Sequence, residues 1–142
     1  MKNLLKSDGS LFLALPNMVE SLLHFLPDEH LTTYRRYTWK LAHFFYFTPK
    51  TITAMLESAN FTCNIDYYHQ YTFKNYLKWY YLGKRQSSYD VASNENDFIK
   101  SNDPFVADLN SLSKKMNNKF HQLLNKHGRA DTMVVIAKPI NQ

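Results

Sequence analysis

The sequence is poor in cysteine and in glycine. Among its 142 residues there is one cysteine, Cys63, which excludes an internal disulfide and a zinc site built from cysteines. The three glycines, Gly9, Gly83 and Gly128, lie far apart, so the chain has no Gly-rich strand-to-helix turn to cradle a cofactor phosphate. These absences exclude a disulfide-stapled scaffold and argue against a self-sufficient nucleotide-binding enzyme.

Long apolar runs are also absent. No run approaches the ~18 residues of a membrane span, and the N-terminus lacks the apolar core of a signal peptide. Together with the single cysteine, this predicts a soluble, cytoplasmic chain without a membrane partner. Aromatic residues make up 15% of the sequence, which argues against disorder because disordered chains have low hydrophobicity.

Three segments have strand patterns. Residues 10–15 (SLFLAL) and 132–137 (TMVVIA) are continuous apolar runs, which are typical of strands buried on both faces of a sheet. Residues 62–73 alternate between apolar and polar side chains, as expected for a half-exposed strand at a sheet edge. His69 falls on the apolar side of this alternation, which favours a core histidine.

Two of the helix starts combine an N-cap residue with proline in the first helical position. Thr48-Pro49 predicts a helix over 48–59 that ends at Asn60, and Asp103-Pro104 predicts a long helix that ends at Gly128. Apolar residues mark one face of that long helix.

Two further helices and a loop are predicted between the strands. Asn17, with Glu20 three positions later, has the spacing of a capping box. A short helix over 74–82 is expected to end at Gly83, and the polar residues 86–103 have no periodicity and predict a loop.

The resulting order of strand, helix, strand, helices and strand predicts an α/β fold. We expect residues 1–142 to form one partial domain, because two strands that are buried on both sides need more neighbours than this chain supplies. The sequence therefore predicts half of a larger sheet.

Four segments resemble class I S-adenosylmethionine-dependent methyltransferases, and all four correspond to the C-terminal half of that family's domain. Residues 4–17 (LLKSDGSLFLALPN) resemble its fifth strand, and residues 43–61 (HFFYFTPKTITAMLESANF) resemble the family's segment HLYHFSPETLRRLLEAAGF. Residues 71–84 (YTFKNYLKWYYLGK) resemble an excursion found in a subset linked to sugar and polysaccharide biosynthesis. Residues 128–133 (GRADTM) resemble the entry into the last strand.

The resemblance implies the C-terminal half of a Rossmann-like methyltransferase sheet, with three strands, the last of them antiparallel, and flanking helices. It implies a lid on the substrate side over about residues 18–47. The family's first strand, Gly-rich turn and ribose-binding acidic residue have no counterpart in this sequence. The implied function is the substrate-side portion of a methyltransferase, inactive until a cofactor-binding N-terminal half completes it. Its cofactor would be S-adenosylmethionine, without a metal, and its acceptor a small, sugar-like molecule.

Asn17 and His43 are the first candidate site residues. Asn17 follows the first strand, and His43 precedes a helix that begins on the same side of the sheet, where ligands of open α/β sheets bind. Both are candidates for lining an acceptor pocket, with His43 as a catalytic base. The alternatives are a helix cap for Asn17 and a packed side chain for His43.

Arg35, Arg36 and Tyr46 are the other candidates for binding substrate. Paired arginines bind phosphate or carboxylate groups bidentately, although such a pair is more often a solvated helix face. Tyr46 belongs to an aromatic run over 39–47 that would stack on a sugar or adenine ring, with core packing as the favoured alternative.

Two other functions remain open at the level of sequence. One is a non-catalytic remnant or interaction module that forms a homodimer through an exposed strand edge. The other is a small nucleic-acid-binding protein, suggested by a net charge of +5 and a lysine-rich helix face. Nucleic-acid binding is the less favoured of the two, because no arginine cluster or RNA-binding signature accompanies the lysines.

Overall fold

The fold is α/β, with a three-stranded antiparallel sheet and flanking helices. A computed structural model describes residues 5–6, 8–39, 43–85 and 99–140. The strands are β1 (Leu11–Pro16), β2 (Phe61–Tyr68) and β3 (Thr132–Pro139). The helices are α1 (Ser21–Phe25), α2 (Asp28–Thr38), α3 (Pro49–Ser58), α4 (Phe73–Leu82) and α5 (Pro104–Lys126).

The last strand of the chain lies in the middle of the sheet. The order is β1-β3-β2, and β3 runs antiparallel to both neighbours, so β1 and β2 point in the same direction. Leu13 pairs with Val135, which pairs with Ile65, and these three side chains share one face. The prediction that β2 is an edge strand is confirmed.

One face of the sheet is covered and the other is open. Ile52 and Leu56 of α3 pack against a row of β3 side chains that is centred on Val135. On the opposite face Phe12 is 64% exposed, and Asn64 in the same row is exposed as well. The prediction that β1 is buried on both faces is therefore wrong for the described residues, because its outward-facing side chains meet no covering helix.

β2 ends at Tyr68, five residues before the end of the predicted alternation at Phe73. After Tyr68, the backbone amides of Gln70 and Asn75 donate hydrogen bonds to side chains and not to a neighbouring strand. The amide of Gln70 donates to the Asp131 carboxyl group, and the Thr72 hydroxyl accepts from the Asn75 amide and caps α4. The pattern of polar and apolar residues continues, but the backbone has already left the sheet.

A second cluster joins the helices beside the sheet. Leu22 and Leu26 from the α1 segment, Tyr34 of α2 and Trp79 of α4 are buried together. The rings of Tyr34 and Trp79 meet edge to face, with their centroids 4.9 Å apart. This cluster holds α2 against α4, and α2 forms one wall of the cleft described below.

Most helix ends fall where the sequence predicts them. The Thr48 hydroxyl accepts from the Thr51 amide at the start of α3, and Asn60 ends that helix with a φ of 61°. Gly83 ends α4 with a φ of 58°. The predicted capping box of Asn17 and Glu20 is wrong, because α1 begins at Ser21 and the Glu20 carboxyl group accepts a hydrogen bond from Tyr34.

The apolar stripe of α5 is largely exposed. Phe105, Leu112 and Leu123 are all more than half exposed, whereas Asn110 and Asn117 are buried. The Asn117 side chain accepts from the Phe73 amide at 2.8 Å, so a polar contact orients the helix. Of the polar loop predicted over 86–103, residues 86–98 lie outside the described residues. Among the described helices, none is both long enough and apolar enough to cross a membrane.

Candidate functional site

A cleft of about 220 Å³ lies at the carboxyl end of β1. Its floor includes Pro16 at the end of β1 and Thr132 at the start of β3, which pair across the sheet. One wall is formed by α2, and the other by the segment that follows β2. Three segments add further residues to the lining. They are α2, the segment after β2 and the segment before α3, and they contribute Tyr34, Tyr37, Thr38, His43, Gln70 and Tyr71. Asp131 also lines the cleft.

Among the described residues that line the cleft, Asp131 is the only acidic one. Its Oδ1 and Oδ2 atoms each lie 3.3 Å from the backbone nitrogen of Gln70, which donates to them. Burial raises the pKa of Asp131 to about 7, although hydrogen bonds from Gln70 and Thr132 act in the opposite direction. At neutral pH this carboxyl group therefore exchanges between its two protonation states.

His69 lies behind Asp131 and is neutral. Its ring is 3% exposed, and Nδ1 accepts a hydrogen bond from the Asp131 backbone amide at 3.3 Å. Burial, and to a lesser extent the nearby His121, lowers the pKa of His69 to about 3. The ring also packs edge to face on Phe120. The prediction of a core histidine is confirmed, and the Asp131 carboxyl group gains no positive partner from His69.

A second buried carboxyl group lies close to the first. Glu20 is 2% exposed, and its Oε1 accepts a hydrogen bond of 2.7 Å from the hydroxyl of Tyr34, whose ring lines the cleft. Burial raises the pKa of Glu20 to about 8; the Tyr34 hydrogen bond lowers it, and the charge of Asp131 raises it. Burial also raises the pKa of the Tyr34 hydroxyl. Among the described residues, Glu20 Oε2 has no hydrogen-bond partner.

Asn17 does not line the cleft, but it connects two of the segments that surround the cleft. Its side-chain amide donates to the carbonyl oxygens of Gly128 and Ala130 at 3.0 and 2.8 Å, and its Oδ1 accepts from the Val19 amide. The segment after β1 is thereby joined to the segment before β3. This contact places Glu20 and Asp131 on the same side of the sheet.

His43 and Tyr46 lie at the rim. His43 is exposed and lines the cleft, and its ring meets that of Tyr46 edge to face with centroids 5.9 Å apart. The Tyr46 hydroxyl donates to the Thr38 carbonyl oxygen at 3.4 Å. The structure therefore brings these two candidates to one place, where His43 can contact a ligand and Tyr46 supports it.

The two arginines lie elsewhere. Arg35 and Arg36 are exposed in the last turn of α2, and neither lines the cleft. The Arg35 guanidinium lies 5.5 Å from the ring centroid of Trp39, so its nearest described aromatic partner is outside the cleft. The part of the lining that the structure describes contains one acidic residue and no lysine or arginine.

Sequence reasoning missed Glu20, Tyr34 and Asp131 as site residues. Glu20 has the spacing of a capping partner, and Tyr34 is one of ten tyrosines, so neither has a distinctive sequence signal. Asp131 had one available signal, which is an acidic residue immediately before a continuous apolar strand. An acidic residue at that position lies at the edge of the sheet, where the neighbouring strand and loops shield it from solvent.

The described residues contain no group of three or more His, Cys, Asp or Glu side chains that could hold a metal ion. No protein-family model matches the chain, and comparisons with curated proteins and with solved structures give no significant match.

Proposed function

We propose that this chain is the substrate-side half of an S-adenosylmethionine-dependent methyltransferase of the class I type. In this proposal the cleft at the carboxyl end of β1 binds the methyl acceptor. A second half supplies the Gly-rich turn that holds the cofactor. The residues of this chain do not fit the cofactor by themselves, because its three separated glycines form no such turn.

The main support for the proposal is that β1 is an edge strand with an uncovered apolar face in the described residues. In the described residues β1 pairs with a strand on one side only, and Phe12 projects 64% exposed from the uncovered face. An exposed edge and an apolar face are features that proteins normally cover. Further strands and a helix from a second half would cover both.

Two other observations support the same reading. The last strand, β3, runs antiparallel to both of its neighbours, and the resemblance implies an antiparallel last strand. The cleft also lies beyond the carboxyl end of β1, which is the side on which open α/β sheets bind ligands.

The chain's own residues would bind and position the acceptor. Tyr37 and Tyr71 line the cleft with their hydroxyl oxygens 3.4 Å apart, and His43 lies at the rim. Asp131, whose pKa of about 7 lies near neutral pH, is suited to hold or accept a proton of the acceptor. Holding the acceptor in a fixed orientation is the main contribution that such a half makes to methyl transfer.

Titration calorimetry with S-adenosylmethionine tests this function. The chain alone is expected to give no binding heat. After mixing with a polypeptide that supplies the family's first strand and Gly-rich turn, one cofactor is expected to bind per complex. The variant Phe12→Lys should abolish this binding without lowering the stability of the isolated chain, because Phe12 is exposed there.

The matched control is Asn64→Lys, which places the same charge in the same row of the open face, but on the opposite edge strand. This variant should bind like the wild type. Absence of cofactor binding in the mixture contradicts the proposal. A chain that sediments as a dimer, and as a monomer after Phe12→Lys, would instead support the homodimeric interaction module.

A further inference from the structure

The ionisable residues described at the cleft are mainly acidic. Asp131 lines the cleft, and Glu20 lies behind its Tyr34 wall. Among the described residues that line the cleft there is no lysine or arginine. Of the lining residues that the structure describes, an anion entering the cleft would meet a carboxyl group and no cation to offset it, which is unfavourable at short range.

Neither carboxyl group has a basic partner elsewhere in the described structure. The single ion-pair contact of Asp131 is to Nδ1 of His69 at 3.7 Å, and that nitrogen accepts a hydrogen bond from the Asp131 amide. Glu20 bonds to Tyr34 through one oxygen, while the other has no partner. Buried carboxylates are normally paired with a positive charge, so the counter-charge for this pair is absent from the described residues.

Three tyrosines contribute to the lining beside Asp131. Tyr34, Tyr37 and Tyr71 all line the cleft, and aromatic faces attract cations through their quadrupole. The same cluster already attracts one: the Arg85 guanidinium lies 5.2 Å from the Tyr37 ring centroid. A carboxylate beside several tyrosines is a combination that suits an organic cation.

We propose that the cleft binds a small organic cation, with its ammonium group against the Asp131 carboxylate and its apolar body against the tyrosine rings. The inference deepens the proposed function, on which it rests for the identification of this ligand as the methyl acceptor. It replaces the anionic acceptor that the paired Arg35 and Arg36 suggest, because those side chains lie outside the cleft.

Three probes of nearly equal shape and different charge test the inference on the chain alone: benzylammonium, benzyl alcohol and benzoate. At pH 8, where most Asp131 side chains are ionised, benzylammonium is expected to bind at least about ten times more tightly than benzyl alcohol, about 1.4 kcal/mol. Benzoate is expected not to bind. Chemical shifts of the Tyr37 and Tyr71 rings report whether the probe occupies this cleft.

The variant Asp131→Asn removes the charge and is expected to abolish the preference for benzylammonium over benzyl alcohol. Asp66→Asn, on the exposed face of β2, is the control and should leave the preference unchanged. Equal affinities for the cation and the alcohol in the wild type overturn the inference and favour a neutral, hydroxyl-bearing ligand.

Benzylammonium binding to the wild type can also be measured as a function of pH, and this test does not depend on a variant that folds. The pKa of Asp131 is about 7, so protonation of its carboxyl group should weaken benzylammonium binding by about tenfold between pH 8 and pH 6. The groups that surround Asp131 are His69 after β2, Glu20 before α1 and Tyr34 on α2, with His43 at the rim. His121 of α5 acts on His69. The fall in affinity should persist in His43→Gln, which removes the rim imidazole.

An affinity that does not change with pH contradicts the inference. Neither these probes nor these measurements involve S-adenosylmethionine or a second half. Failure here therefore leaves the proposed function standing, and failure of cofactor binding leaves the cation site standing.

Discussion

The side-chain amide of Asn17 donates to the carbonyl oxygen of Ala130 at 2.8 Å, across a sequence separation of 113 residues. Next to it, the Asn17 backbone amide donates to the Asp131 carbonyl oxygen, also at 2.8 Å. The Arg129 guanidinium in turn donates to the Val19 carbonyl oxygen. These contacts join the segment after β1, which carries Glu20, to the segment before β3, which carries Asp131.

Asn17→Ala is expected to lower the free energy of unfolding by about 2–4 kcal/mol, because a buried and a part-buried carbonyl oxygen lose their donor. Urea unfolding at pH 7 measures the loss. Asn17→Asp should cost a similar amount, since aspartate has no amide to donate. A helix-capping role predicts instead that aspartate substitutes well. Asn64→Ala, at an exposed position of β2, is the control.

Tyr34→Phe removes the hydroxyl that donates to Glu20 and leaves both side chains buried. The free energy of unfolding is expected to fall by about 1–3 kcal/mol, which is the cost of a buried acceptor that loses its donor. Tyr68→Phe removes a hydroxyl from an exposed ring and should change stability little. Equal effects of the two variants would show that the Tyr34–Glu20 bond contributes nothing.

Glu20 should make the folded chain less stable as pH rises. Its pKa is about 8 in the folded chain and 4.5 ordinarily, so between these values the folded state binds more protons and the free energy of unfolding decreases with pH. Asp131 acts in the same direction up to about pH 7, whereas His69, whose folded pKa is about 3, acts oppositely up to pH 6.5.

Above pH 7 Glu20 is the main one of these three groups that still titrates. The wild type is expected to lose about 1 kcal/mol between pH 7 and pH 8. Glu20→Gln keeps an acceptor for Tyr34 but cannot ionise, so its stability should be nearly constant over this interval. Glu57→Gln, on the exposed side of α3, should behave like the wild type. If the stability of Glu20→Gln falls equally between pH 7 and pH 8, a group other than Glu20 causes the loss.

Gly83→Ala tests the turn after α4. Gly83 has a φ of 58°, and a Cβ atom there would lie 2.4 Å from His30 Nδ1. Left-handed backbone costs an alanine about 1–2 kcal/mol, and the contact with His30 adds to that. Thermal unfolding of Gly83→Ala and of the double variant with His30→Ala separates the two effects, because the second substitution relieves only the contact. Asn60→Gly, at a φ of 61°, should not destabilise the chain.

Local signals predicted the helix ends and the edge strand well. Thr48 caps α3 and Asn60 ends it, since both positions depend on hydrogen bonds and backbone angles within a few residues. The alternation in β2 likewise reports directly which side chains face the core. The same local reasoning failed for Glu20, because its spacing from Asn17 fits a cap while its actual partner, Tyr34, is 14 residues away.

The amino-acid sequence by itself determined most helix ends and the approximate positions of the strands, because capping, turns and periodicity act over a few neighbouring residues. Only the tertiary structure decided which face of β1 is covered, which stripe of α5 is buried and which acids lose their solvent. Those outcomes depend on contacts between segments that are far apart in the chain. Asp131 illustrates the difference: its position before β3 is evident in the sequence, but its burial beside Gln70 and His69 exists only in the folded chain.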